Sequence, residues 1–183
     1  HMVSAWACAN GLVLGQTKTD EKSNEITAIP QLLRTLEIEG CIVTIDAMGC
    51  QTGIAETIVE KGADYVFSLK GNQGNLHEDV KMFFQEQKRN NFQDASFDYY
   101  ETVDADHGKI EIRRYWTLSD LYWLQGKENW ARLETICMVE RERQFDDKTE
   151  SETSYYIGSV GNNAERFAHA VRSHWGIENS LHW

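Results

Sequence analysis

Two short apolar runs with a helical stretch between them constrain this chain more than any other feature. Cys41-Ile42-Val43-Thr44-Ile45 is continuous, ends on Asp46, and has the pattern of a strand buried on both faces. A helix is expected from about Thr52 to Lys61, with Thr52 as its cap and Gly62 as its stop. Asp64-Tyr65-Val66-Phe67-Ser68-Leu69 is then a second buried strand, closing with Lys70-Gly71-Asn72-Gln73 before another helix to about Arg89. Ahead of this unit, Val3 to Lys18 reads as two antiparallel strands around the tight-turn dipeptide Asn10-Gly11. A helix follows, capped by Ser23 or Asn24, with Ile26, Ile29, Leu32, Leu33 and Leu36 on one face, Pro30 near its first turn and Gly40 at its end. This order implies an α/β fold whose sheet mixes antiparallel and parallel strands.

The stretch from about 95 to 160 changes character. β-favouring runs at Ile110–Leu118, Leu133–Glu142 and Ser154–Val160, separated by acidic or glycine-containing turns, read as an antiparallel β-rich insertion. Beyond Gly161-Asn162-Asn163 a helix runs from Ala164 to the end. The expected organisation is a first core segment over 1–94, the insertion over 95–160 and a returning helix over 161–183. Trp116, Tyr122, Trp123 and Trp130 crowd the insertion, where they are expected to form its own small core rather than a base-stacking surface.

Charge and cysteine content narrow the function classes. The formal net charge is −11, which by itself argues against a nucleic-acid partner. Residues 76–106 hold eight acids against three bases and residues 134–152 seven against three, so the rest of the chain is nearly neutral and the objection weakens. Cys8, Cys41, Cys50 and Cys137 are widely spaced, which predicts reduced core residues rather than disulfides or a zinc site. No run approaches the ~20 apolar residues of a membrane helix and the N-terminus lacks a signal-peptide pattern, so a soluble, cytoplasmic protein with no membrane partner is expected. The opening His1-Met2, running straight into strand-like sequence, reads as a cloning scar on an excised fragment.

Several polar residues stand where structure alone does not ask for them. Asp46 lies at the carboxyl end of a strand, where open α/β sheets place ligand sites. Two readings stand side by side for it, a turn cap and a ligand. Glu178 falls about 20° around the final helix from Phe167 and Val171, on the face those residues bury. There it either pairs with Arg172 or a histidine, or serves a site, with His174 and His182 one turn before and after it. Lys70, Asn72 and Gln73 leave the neighbouring strand at the same sheet edge, either as a plain turn or as phosphate and base-edge donors.

Five strings then carry a resemblance: Lys18-Thr19-Asp20-Glu21-Lys22-Ser23-Asn24-Glu25-Ile26, Thr44-Ile45-Asp46-Ala47-Met48-Gly49-Cys50-Gln51, Lys70-Gly71-Asn72-Gln73, His107-Gly108-Lys109-Ile110-Glu111, and Arg172-Ser173-His174-Trp175-Gly176-Ile177-Glu178-Asn179-Ser180-Leu181-His182-Trp183. In this order the chain resembles, over essentially its whole length, the H-repeat-associated family of bacterial insertion-sequence transposases, of the DDE group with a ribonuclease-H-like catalytic domain. The resemblance implies a two-metal site for Mg²⁺ or Mn²⁺ that cuts and joins DNA by in-line phosphoryl transfer. It assigns Asp46 to the second carboxylate and Glu178 to the third, as catalytic and metal-binding residues. Lys70, Asn72, Gln73, Lys109, Arg172 and His174 are the expected DNA contacts, and the implied partners are the element's terminal inverted repeats, target DNA and a second copy in a homodimer.

The chain departs from the family pattern in two ways. The first aspartate belongs to a strand before the hairpin that this sequence does not contain, so the metal site is expected to be incomplete and the fragment inactive. Asp20 sits in a separate string and does not replace it. Related families also place a Tyr and an Arg ahead of the glutamate, where Val171 and His174 stand here, leaving Arg172 to supply the charge. Lys109 occupies an expected Arg position. The competing readings are a ribonuclease-H-like nuclease with no part in transposition and a non-catalytic DNA-binding remnant.

Overall fold

The computed structural model of the chain describes residues 2–7, 12–18, 25–106 and 109–181, with 2–4, 6, 7, 12–14, 18, 25, 106 and 175–181 described by backbone course alone. Strands β1 (Met2–Ala7) and β2 (Leu12–Lys18) pair antiparallel as a two-stranded sheet of their own, with a register shift between Ala5 and Trp6. The Asn10-Gly11 turn, Cys8 and the Ser23 or Asn24 cap lie outside the described residues. Helix α1 (Glu25–Thr35) packs against this hairpin and buries Ala28, Leu32 and Leu33. A methyl at Gly15 would sit 2.9 Å from Leu32 Cδ1, so the bare backbone there lets helix and hairpin close up. The helix ends at Thr35, ahead of Gly40, which instead takes a left-handed φ of 73° in the turn into the next strand.

That strand, β3 (Ile42–Ile45), is followed by α2 (Thr52–Glu60), β4 (Asp64–Leu69), a 3₁₀ turn at Gly71–Gln73 and α3 (Asn75–Arg89). Strands β5 (Asp98–Asp106), β6 (Lys109–Leu118), β7 (Thr135–Gln144) and β8 (Thr149–Gly158) then precede the final helix, α4 (Ala164–Leu181). One six-stranded sheet runs in the order β3-β4-β8-β7-β6-β5. Only β3 and β4 are parallel, and β8 returns antiparallel beside β4. The fold is mixed α/β, consistent with the ribonuclease-H-like architecture expected.

The β-rich stretch is antiparallel throughout, and β8 joins it to the main sheet on the free side of β4. Several local expectations need correction. Strand β5 lies within the acidic Asp-Tyr-Tyr-Glu-Thr-Val-Asp-Ala-Asp run that composition disguised; Arg114 bonds Glu101 at 3.1 Å and Arg113 bonds Asp104 at 2.8 Å across the pair. Strand β3 is half-buried rather than buried on both faces, since it is an edge strand with β4 as its one partner in the sheet. Of the described cysteines, Cys50 and Cys137 are buried but Cys41 is exposed.

Alternation along each strand sorts the core into two layers. Tyr65, Phe67 and Leu69 of β4, with Trp116, Leu118, Ile136, Met138 and Ile157, face α2 and α3. Ile54, Ala55 and Ile58 of α2 and Leu76, Val80 and Phe84 of α3 meet them at helical spacing. Val66, Tyr115, Cys137, Val139 and Tyr156 point the other way, onto Phe167, Ala168 and Val171 of α4. The tryptophans are thus not a separate core: Trp116 and Trp130 are buried in the first layer, Trp123 stacks on Phe83 at 4.2 Å, and Tyr122 is 87% exposed.

Candidate active site

The site is built where β3 ends. Asp46 is exposed at the C-terminal end of that strand, and its Oδ1 accepts the backbone N–H groups of Met48 and Gly49 at 3.2 and 3.3 Å. The turn-capping task is therefore real, and the same carboxylate keeps Oδ2 without a hydrogen bond among the described residues. Thr52 does not cap α2: the cap position is Gln51, which makes no side-chain capping bond. Gly49 is required by packing, because a methyl there would collide with Cγ2 of Ile45.

The segment leaving β4 grips this loop. Asn72 Nδ2 donates to the Ala47 carbonyl at 2.7 Å, and Gln73 Nε2 donates to the Cys50 carbonyl at 2.5 Å. Lys70 is exposed on the same segment and has no ion-pair partner among the described residues. Burial pushes the Cys50 thiol up to about 12, so it is an inert core group beside the loop.

Helix α4 approaches from the other side of the sheet. Its start is held by Asn163 Oδ1, which accepts the Arg166 N–H at 2.8 Å, and by Asp98 Oδ2, which accepts the Ala164 N–H at 2.7 Å. Arg166 also reaches Asp64, at the start of β4, at 2.9 Å. Further along, His174 Nδ1 lies 3.1 Å from Thr44 Oγ1. Asp64 pairs in register with Ile42 and Val66 with Thr44, so α4 advances in the direction of β3, toward the end that bears Asp46. Glu178 lies one turn beyond His174 on the backbone of α4; its side chain, like His182, lies outside the described residues.

Not every expected residue converges here. Arg172 bonds Asp104 of β5 at 2.9 Å, and Arg113 bonds the same carboxylate. The hydrogen bond from Arg172, reinforced by Arg113, holds the Asp104 carboxyl below its ordinary range. Lys109 lies on β6 and pairs with Glu111 at 3.1 Å; His107 and Gly108 lie outside the described residues. Sequence reasoning missed Thr44, the one polar residue inside the β3 run, and Asp104, whose strand it did not recognise.

The described residues contain no cluster of three or more His, Cys, Asp or Glu able to hold a metal ion. Asp46 is a carboxylate oxygen donor at this edge, which in kind suits Mg²⁺ or Mn²⁺. None of the described helices is long and apolar enough to cross a membrane.

A mixed sheet with a carboxylate at the end of an edge strand and a helix converging on it defines the class of α/β domains that place ligand sites at strand ends. Over residues 1–183 the chain matches the family described as Transposase DDE domain, and it belongs to that family. It is 43% identical, over its whole length, to "H repeat-associated putative transposase YhhI" of Escherichia coli K12, covering 49% of that protein. It is 44% identical to "Putative transposase YncI" of Escherichia coli O157:H7, again over its whole length and 47% of the relative. The chain thus spans about half the length of the curated relatives it matches.

Proposed function

We propose that this chain is the main part of the catalytic domain of a DNA transposase, in which Asp46 and Glu178 hold divalent cations. The observation that carries this reading is the course of α4 past Thr44. Glu178 stands four residues beyond His174, about 6 Å further along the helix axis. Asp46 stands two residues beyond Thr44, about 7 Å further along the strand. On the backbone course of α4, Glu178 comes one turn past the residue that meets Thr44, in the direction of the end of β3.

Asp46 would contribute Oδ2, held in place because Oδ1 is tied to the loop. Mg²⁺ or Mn²⁺ bound there would supply Lewis acidity to an in-line attack on a DNA phosphodiester. Lys70, exposed on the segment that leaves β4, would meet a backbone phosphate. Among the described residues the outer edge of β3 has no partner in the six-stranded sheet, which leaves room there for a further strand. The substrates of the whole protein would be the terminal inverted repeats of an insertion sequence and target DNA, bound by a homodimer.

The test is a set of thermal melts with and without millimolar Mn²⁺. The wild-type chain should gain about 3–5 °C at tenfold excess over its dissociation constant. Asp46→Asn and Glu178→Gln, which keep shape but lose charge, should gain nothing. A wild type that ignores Mn²⁺, or variants that respond as it does, would overturn the reading.

A further inference from the structure

We infer that Asn72 and Gln73 are positioning residues that set the Asp46 loop for cation binding, an inference that rests on the reading of Asp46 as a ligand. The loop from Asp46 to Gln51 lacks a side-chain cap at α2; within it the Cys50 N–H meets the Ala47 carbonyl and Gln51 Nε2 meets the Met48 carbonyl, both at a long 3.4 Å. Two constraints act on it from opposite ends. On the near side, Asp46 Oδ1 accepts the N–H groups of Met48 and Gly49. On the far side, the two carboxamides donate to the carbonyls of Ala47 and Cys50, which bracket those same two residues. Held at 47 and 50, the loop keeps the 48 and 49 amides on Oδ1, and Oδ2 has no hydrogen bond among the described residues.

The residue types suit this task. A carboxamide donates to a carbonyl without adding charge, whereas a Lys or Arg in either place would compete with a cation for the Asp46 carboxylate. The Gly71–Gln73 turn brings both side chains to the loop from consecutive positions. One donor of each carboxamide is engaged inside the fold, and Lys70, exposed and without an ion-pair partner among the described residues, is the charged member of the string available to a DNA phosphate.

Asn72→Leu and Gln73→Met keep side-chain volume while removing the donor, and amide hydrogen exchange followed residue by residue reads the result without metal. Both variants should exchange faster at Met48 and Gly49, by roughly tenfold for one lost hydrogen bond, while Val66 and Phe67 in β4 keep wild-type rates. Asp46→Ala, which removes the acceptor, should show the same local acceleration. Unchanged rates at Met48 and Gly49 would overturn the inference, and so would a uniform acceleration throughout the sheet, which would mean that the carboxamides only stabilise the fold. In parallel melts the variants should lose most of the Mn²⁺-induced shift with the metal-free melting temperature nearly kept; a full shift would overturn the inference. A wild type with no Mn²⁺ shift would instead defeat the ligand reading of Asp46, while the exchange rates would still decide whether the two carboxamides hold the loop.

Discussion

At the scale of single residues, Asp46 combines two tasks on one side chain. Oδ1 closes the turn and Oδ2 has no hydrogen bond among the described residues, so Asp46→Asn should keep most of the stability, whereas Asp46→Ala, which removes the acceptor of two partly solvated amides, should cost about 1 kcal/mol. Comparing the two variants by urea denaturation separates the tasks. Glu111 makes a different case. Burial pushes its carboxyl up, but hydrogen bonds from Arg141 and Lys109 and the charges of Arg113 and Arg141 outweigh it and hold it at about 2. A carboxylate depressed on folding stabilises the fold above its unfolded pKa, near 4.3, and loses that contribution as pH falls through about 2. Glu111→Gln should therefore cost ~2 kcal/mol at pH 7, and denaturation curves of variant and wild type should converge between pH 4.3 and 2. A constant difference across that range would show that the ion cluster is not the cause. The sequence made Asp46 conspicuous because a carboxylate interrupts an apolar run, but Glu111 drew attention only as part of a string, since its three cations come from residues up to thirty positions away.

Among the elements, α4 decides whether the site assembles. Its first turn is held by Asn163 from its own chain segment and by Asp98 from β5. Asn163→Ala and Asp98→Ala should each lower the unfolding free energy by about 1 kcal/mol, measured by urea denaturation. Thr44→Val removes the hydroxyl that meets His174 and should cost roughly 1 kcal/mol, with faster amide exchange in the C-terminal half of α4 than in its first two turns. Uniform exchange along the helix would mean that the contact does not hold it. The helices were legible because 3.6-residue periodicity is a local property, and α3 and α4 begin or end where the sequence indicated. Strand β5 was not, because its acids are neutralised by arginines on the one neighbouring strand, β6, and on α4. Nor was the half-exposure of β3, since an edge and a central strand have similar sequences until their neighbours are known.

On the scale of the whole molecule, β3 and β4 share one sheet and two core layers with β5 to β8. Unfolding followed by tryptophan fluorescence and by far-ultraviolet circular dichroism should therefore show one midpoint, because Trp116 and Trp130 pack in the same layer as Ile54 and Phe67. An earlier fluorescence transition would mean that the β-rich stretch unfolds on its own. The sequence alone determined the α/β class, the order of most elements, the family, and the strand end on which a carboxylate stands, because each is written in local periodicity or in contiguous strings. Tertiary structure alone decided which partners the polar side chains around that strand end take. Asn72 and Gln73 became loop holders, Arg172 went to Asp104, and Thr44 met His174, because hydrogen bonds within the fold engage donors that a linear string leaves open.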